Sequence, residues 1–310
     1  MRERAFAAFL REGAAAALVL VLTGACGEPP DTAPPRPAQA HHIGLAICMT
    51  PDTPFFVTLV SGAWETAERL GANLTVRYAG EDPGVQARQV RELAELGVDL
   101  VLLNPVNGSL GPTVEELAGE DVPVFTIDRG LDSEHVVCHI ASDNRAGGRM
   151  AGDYLAEALH RSGRVIEIRG TSGSSAARDR GIGFSNAMAE HPEVEVVGIA
   201  AADFTSDSAA AVFEGVLREH PEVDGVFAHN DDMALGAMDV AEARGRDDIL
   251  FVGFDAVEEA IEAVDRGDML ATVAQKPAEM GRIGIETAVR YLSGERVPDS
   301  IVVELALIIR

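Results

Sequence analysis

Gly225–Asp255 reads GVFAHNDDMALGAMDVAEARGRDDILFVGFD. Its ends, GVFAHN (Gly225–Asn230) and ILFVGFD (Ile249–Asp255), are short apolar runs with polar borders, as buried strands are. The stretch between them, near Asp232–Ala243, is helical in pattern. Two strands joined through a helix lie parallel, because parallel neighbours need a long crossover and not a tight turn. Each run also stops on side chains that hydrogen-bond, Asn230-Asp231 in one and Asp255 in the other.

The alternation continues in both directions. IGLAICM (Ile43–Met49), LVLLN (Leu100–Asn104), VPVFTID (Val122–Asp128), VVCHI (Val136–Ile140), RVIEI (Arg164–Ile168) and VEVVGIA (Val194–Ala200) are strand candidates upstream, and LATVAQ (Leu270–Gln275) follows downstream. Helical stretches intervene near Gln86–Leu96, Thr113–Leu117, Arg145–Leu159, Ser175–Glu190, Ala209–His220, Val257–Val264 and Ala278–Leu292. A further helix starts at Thr53-Pro54, where Thr53 can cap, Pro54 suits the first turn, and Phe56, Leu59, Val60, Ala63 and Ala67 form an apolar stripe ended by Gly71. Trp64 lies beside that stripe and is expected to pack on the sheet or domain surface. The pattern predicts α/β architecture with parallel sheets covered by helices. The 310 residues allow two domains at about 150 residues each.

Runs finish in Asn104, Asp128-Arg129, Asn230-Asp231, Asp255 and Gln275. Ligands of open parallel sheets sit beyond the carboxyl ends of the strands. One such residue alone reads more readily as a helix cap than as a ligand contact. Their recurrence points to a ligand with many hydroxyl groups.

The chain carries 25 Lys+Arg against 50 Asp+Glu, a net charge of −25, which argues against a broad basic surface for nucleic acid. Residues 1–40 balance four arginines against four acids, so the charge belongs to residues 41–310 and gives no electrostatic hold on anionic lipid. Arg2, Arg4 and Arg11 precede the apolar run Gly13–Cys26, which suits an export signal better than a membrane span. Its end, LTGAC, resembles a bacterial lipobox, with Cys26 as the lipid-bearing residue after cleavage; the other reading is an ordinary secretory signal cut near Ala25. GEPPDTAPPRPAQA (Gly27–Ala40) then reads as an extended spacer. Cys48 and Cys138 read as buried residues of separate strands, although export would permit a disulfide.

Catalytic and metal signatures are missing: the chain has no GxSxG elbow, HExxH pair or CxxC pair, and GTSGSS (Gly170–Ser175) lacks dinucleotide or Walker spacing and reads as a turn. The pairs Glu81-Asp82 and Asp231-Asp232 receive no acid–base role in so acidic a chain. No enzyme activity, cofactor or metal is expected.

TPFF (53–56), LLNP (102–105), IDR (127–129), HIASDN (139–144), SAARDRG (175–181), ADF (202–204), FAHNDDMALGA (227–237), FVGFD (251–255) and ATVAQ (271–275) follow one another across residues 42–310. In these motifs and this order the chain resembles the type I periplasmic sugar-binding proteins of bacterial ABC transporters, the ribose binders above all. The resemblance implies two similar three-layer Rossmann-like domains joined by a three-stranded hinge, with sugar held between them. It implies one domain of residues 42–142 plus 276–304 and another of 144–275 plus 305–310, with crossings near Ser142–Asn144, Gln275–Lys276 and Glu304–Leu305. The ligand residues carried over are Thr53, Phe55, Phe56, Asn104, Asp128 and Arg129 on one wall, and Arg180, Phe204, Asn230, Asp255 and Gln275 on the other. Carboxylates and amides suit sugar hydroxyls, arginines add charge-assisted donors, and phenyl faces cover C–H surfaces. Arg129 is expected to help keep Asp128 ionised.

Thr53 departs from the pattern, since ribose binders usually have Asn before this Pro; it reads equally as the helix cap. The implied ligand is D-ribose, with another pentose, a hexose or a furanosyl signalling molecule as the alternative. The implied partners are an ABC permease with its ATPase, with coupling to a chemoreceptor as a further reading, and the protein is expected to be an exported monomer.

Overall fold

The computed structural model describes residues 40–310; the expected export signal, the expected lipid site Cys26 and most of the expected spacer lie outside them. The chain alternates strand and helix almost without interruption. The elements are β1 (His42–Ile47), α1 (Pro54–Leu70), β2 (Asn73–Tyr78), α2 (Pro83–Glu95), β3 (Leu100–Leu103), α3 (Gly111–Gly119), β4 (Val124–Ile127) and β5 (Val136–Ser142). Then come α4 (Asn144–Ala158), β6 (Gly163–Arg169), α5 (Ser175–Glu190), β7 (Val194–Ala201), α6 (Ser206–Glu219), β8 (Gly225–Ala228), α7 (Asp231–Ala243), β9 (Leu250–Asp255), α8 (Glu258–Arg266) and β10 (Ala271–Ala274). The last elements are α9 (Pro277–Leu292), β11 (Ser300–Val303) and β12 (Ala306–Ile309).

Two six-stranded sheets result, ordered β11-β5-β4-β3-β1-β2 and β12-β10-β9-β8-β6-β7. Apart from their last strands the two orders are the same winding, reversing direction beside β1 in one lobe and beside β6 in the other. The chain passes between sheets three times: after β5, after β10, and between β11 and β12. The pairings are parallel, as expected, except at β12, which pairs antiparallel with β10. With only Glu304 and Leu305 between β11 and β12, β12 enters the second sheet without the helix crossover a parallel strand requires.

Central strands are buried on both faces, so they read as continuous apolar runs. Leu100 and Leu102 join the core on one face of the first sheet, while Val101 and Leu103 join the core on the other. The second lobe has the same two-sided arrangement. Asp82, Asp143, Ser174, Thr205 and Asn230 cap the helices that follow the strands. Thr53 does not: its side chain makes no cap hydrogen bond, and its hydroxyl lies 3.3 Å from that of Thr50. Trp64 corrects another expectation. It is 49% exposed, because the buried face of α1 is filled by Phe56, Leu59, Val60, Ala63 and Ala67.

Cys48 and Cys138 are free and buried. β3 and β4 separate their strands, a spacing of roughly 14 Å that no disulfide spans.

Candidate functional site

A cavity lies between the carboxyl ends of the two sheets. The first lobe contributes Thr53, Phe55 and Phe56 at the start of α1 with Asp128 and Arg129 after β4. The second contributes Arg180 from α5, Phe204 after β7, Asn230 after β8, Asp255 at the end of β9, and Gln275 after β10. Met49, Ala176, Asp232 and Val257 also line it, and none of these four was singled out as a site residue from sequence.

Asn104 does not line the cavity. It is fully buried one layer behind, where Nδ2 donates to Asp128 Oδ2 and to the Ile127 carbonyl, both at 3.0 Å. Its Oδ1 accepts the Cys48 amide at 3.3 Å. With its hydrogen-bonding capacity spent on the protein, Asn104 orients Asp128 and leaves the carboxylate to face the cavity.

Asp128 is 5% exposed, and burial pushes its pKa up despite the opposing effects of Arg129, Arg180 and Asn104. Arg129 does favour the ionised form, as expected from sequence, but desolvation outweighs it. Arg129 also pairs with Glu81, Nη1 to Oε1 at 3.0 Å, and its guanidinium lies 4.9 Å from the Phe204 ring centre. Across the cleft Arg180 Nε donates to Asn144 Oδ1 at 2.8 Å and Nη1 to the His229 carbonyl. Its guanidinium stacks 3.7 Å from the centre of the Phe254 ring.

Asp255 lies 3.7 Å from Arg180 and accepts from Gln275 Nε2 at 2.7 Å. Burial raises its pKa to about 7. Because Gln275 turns its amide nitrogen to Asp255, its buried Oε1 has no hydrogen-bond partner within the protein. A hydroxyl donor in the cavity would satisfy it. Asn230 is occupied on both sides, its Oδ1 capping α7 and its Nδ2 donating to the Phe204 carbonyl at 3.2 Å.

Backbone conformation also marks the site. Asp128 (φ 61°), Phe204 (φ 59°) and Asp255 (φ 111°) all occupy the positive-φ region, which non-glycine residues rarely adopt. Phe204 is seated over Gly170, where a Cβ would come 2.0 Å from the ring. Phe55 and Phe56 meet edge to face at 5.1 Å. Among the described residues no group of three or more His, Cys, Asp or Glu could hold a metal ion.

A cleft with acids, amides, arginines and phenyl rings at strand ends of two matching lobes defines a binding protein for small polyhydroxy compounds. Residues 43–296 match the periplasmic binding protein domain family, and the chain belongs to the type I periplasmic sugar-binding proteins, whose members bind and deliver without catalysis. It is 39% identical over 274 residues to the ribose import binding protein RbsB of Escherichia coli strain K12, covering 88% of this chain and 92% of that one. The ribose import binding protein RbsB of Bacillus subtilis strain 168 is 37% identical over 295 residues, 94% of this chain and 95% of that one. Among solved structures, an ABC transporter solute-binding protein from Mycobacterium smegmatis with bound glycerol superimposes with a TM-score of 0.83 at 31% identity, covering 87% of this chain and 94% of that one.

Proposed function

We propose that this protein is the D-ribose receptor of an ABC sugar importer: it takes the sugar outside the cytoplasmic membrane, closes on it and presents it to the permease and its ATPase. The observation that carries the reading is the cavity, where ten of the eleven residues expected from sequence meet on one surface. Asp128, Asp255 and the free Gln275 Oε1 supply acceptors, Arg129 and Arg180 supply donors, and Phe55, Phe56 and Phe204 supply apolar faces. The two ribose import relatives named above support ribose as the sugar. Thr53 in place of an amide loosens that choice toward another pentose, a hexose or a furanosyl compound. Titration calorimetry of residues 27–310 with ribose, xylose, arabinose, allose, galactose and glucose tests it. Ribose should bind with one site and the highest affinity; a higher affinity for another sugar of the panel would replace the ligand and keep the receptor.

LTGAC and the proline-rich spacer support a lipid on Cys26 that tethers the receptor to the membrane. Cys26→Ser should release the protein from the membrane fraction. A wild-type N-terminal peptide without lipid in mass spectrometry would refute the anchor.

A further inference from the structure

The Arg129 side chain is 4% exposed, so its charge needs a partner within the protein. That partner is Glu81, which stands outside the cavity wall in the turn after β2. The turn is fixed. Glu81 has φ 62°, its amide donates to the Cys48 carbonyl at 2.6 Å, and the Gly80 amide donates to the Met49 carbonyl at 3.2 Å. Asp82, the next residue, caps α2. The two carboxylate oxygens then divide their work. Oε1 accepts from Arg129 at 3.0 Å, while Oε2 accepts from the Thr171 hydroxyl at 3.0 Å.

Thr171 belongs to the other lobe, in the turn between β6 and α5. A second bond joins the same two lobes, from the Gly130 amide after β4 to Ser175 Oγ at the start of α5, at 2.7 Å. Both bonds require the lobes to be in contact.

We propose that Glu81 is a positioning residue that couples closure to the binding site: it holds the Arg129 guanidinium against the cavity and locks onto Thr171 when the second lobe arrives. The inference rests on the receptor reading above and adds to it a residue that does not touch the ligand. Opening the cleft removes the Thr171 donor from Oε2, and closing it restores a charge-assisted bond on the carboxylate that aligns Arg129. Once sugar is in place, this bond prolongs the closed state.

The test is a double-mutant cycle of Thr171→Val and Glu81→Gln, read by stopped-flow and calorimetry with D-ribose, or with whichever sugar of the panel the wild type binds. A bond to a charged acceptor is worth about 1.5 kcal/mol or more, so Thr171→Val should weaken binding about tenfold or more. The loss should lie in a faster dissociation rate with the association rate within twofold, since the bond forms after encounter. In the Glu81→Gln background, where the acceptor is neutral, the Thr171→Val effect should shrink to about threefold. A purely structural Glu81 would lower the melting temperature or the fraction of active protein and leave the Thr171→Val effect undiminished in both backgrounds. That result, or Thr171→Val binding within twofold of wild type, overturns the coupling alone. A wild type that binds no sugar of the panel overturns both this proposal and the reading beneath it.

Discussion

Asp128 stands where backbone strain, burial and charge meet in the site. It lies on a strained backbone, is buried beside two arginines, and has one oxygen tied to Asn104. Asp128→Asn preserves the volume, and the new amide can still present an oxygen to Asn104. The group facing the cavity then changes from acceptor to donor. Binding should weaken by about 2–5 kcal/mol, roughly 30- to several-thousand-fold, with ligand-free melting little changed. Calorimetry of both proteins with the preferred sugar measures this, and binding within twofold would remove Asp128 from the anchor role. The position of Asp128 at a strand end was legible in the sequence, but its protonation balance was not, because desolvation depends on what the fold packs around it. Asn104 shows the same limit: a strand-end amide was recognisable, whereas its place one layer behind the wall was not. Glu81 was missed for a different reason. Its partners are Arg129, 48 residues away, and Thr171, 90 residues away, and no local pattern announces that meeting.

At the scale of elements, closely packed helix pairs brace both lobes. In the first, α1 meets α9 through glycines: a Cβ on Gly281 would lie 2.0 Å from the Leu59 carbonyl, and one on Gly62 would lie 2.2 Å from the Ala278 carbonyl. In the second, α4 meets α5 in the same way through Gly148 and Gly183. Backbone atoms cannot step aside as a side-chain tip can, so Gly281→Ala must spread α1 from α9. We expect a loss of about 1–3 kcal/mol in stability, and a thermal melt several degrees lower checks it. A variant melting with the wild type would show that the helices have slack. Because α1 begins with Phe55 and Phe56, sugar affinity should fall as well. Most elements could be read from apolar runs and caps because the central strands are buried on both faces. β2 escaped that reading. NLTVRY is an edge strand with one buried residue, Leu74, so it lacks the apolar run that marks its neighbours. β11 and β12, four residues each, gave no run of their own beyond what the family resemblance implied for the chain end.

For the whole molecule, two lobes with the same strand winding, three crossings and a cavity shared by both walls support the proposal that the receptor works by closure. The bonds from Thr171 to Glu81 and from Gly130 to Ser175 identify the arrangement described here as the closed one. A receptor of this kind must open to admit its ligand, since the acids and arginines at the centre are almost fully buried. Small-angle X-ray scattering of residues 27–310 with and without the bound sugar tests this most directly. The account predicts a larger radius of gyration without sugar, and a saturated profile, at unchanged monomeric mass, that matches the closed lobes. Identical profiles from free and saturated protein, with binding confirmed by calorimetry in the same buffer, would contradict it.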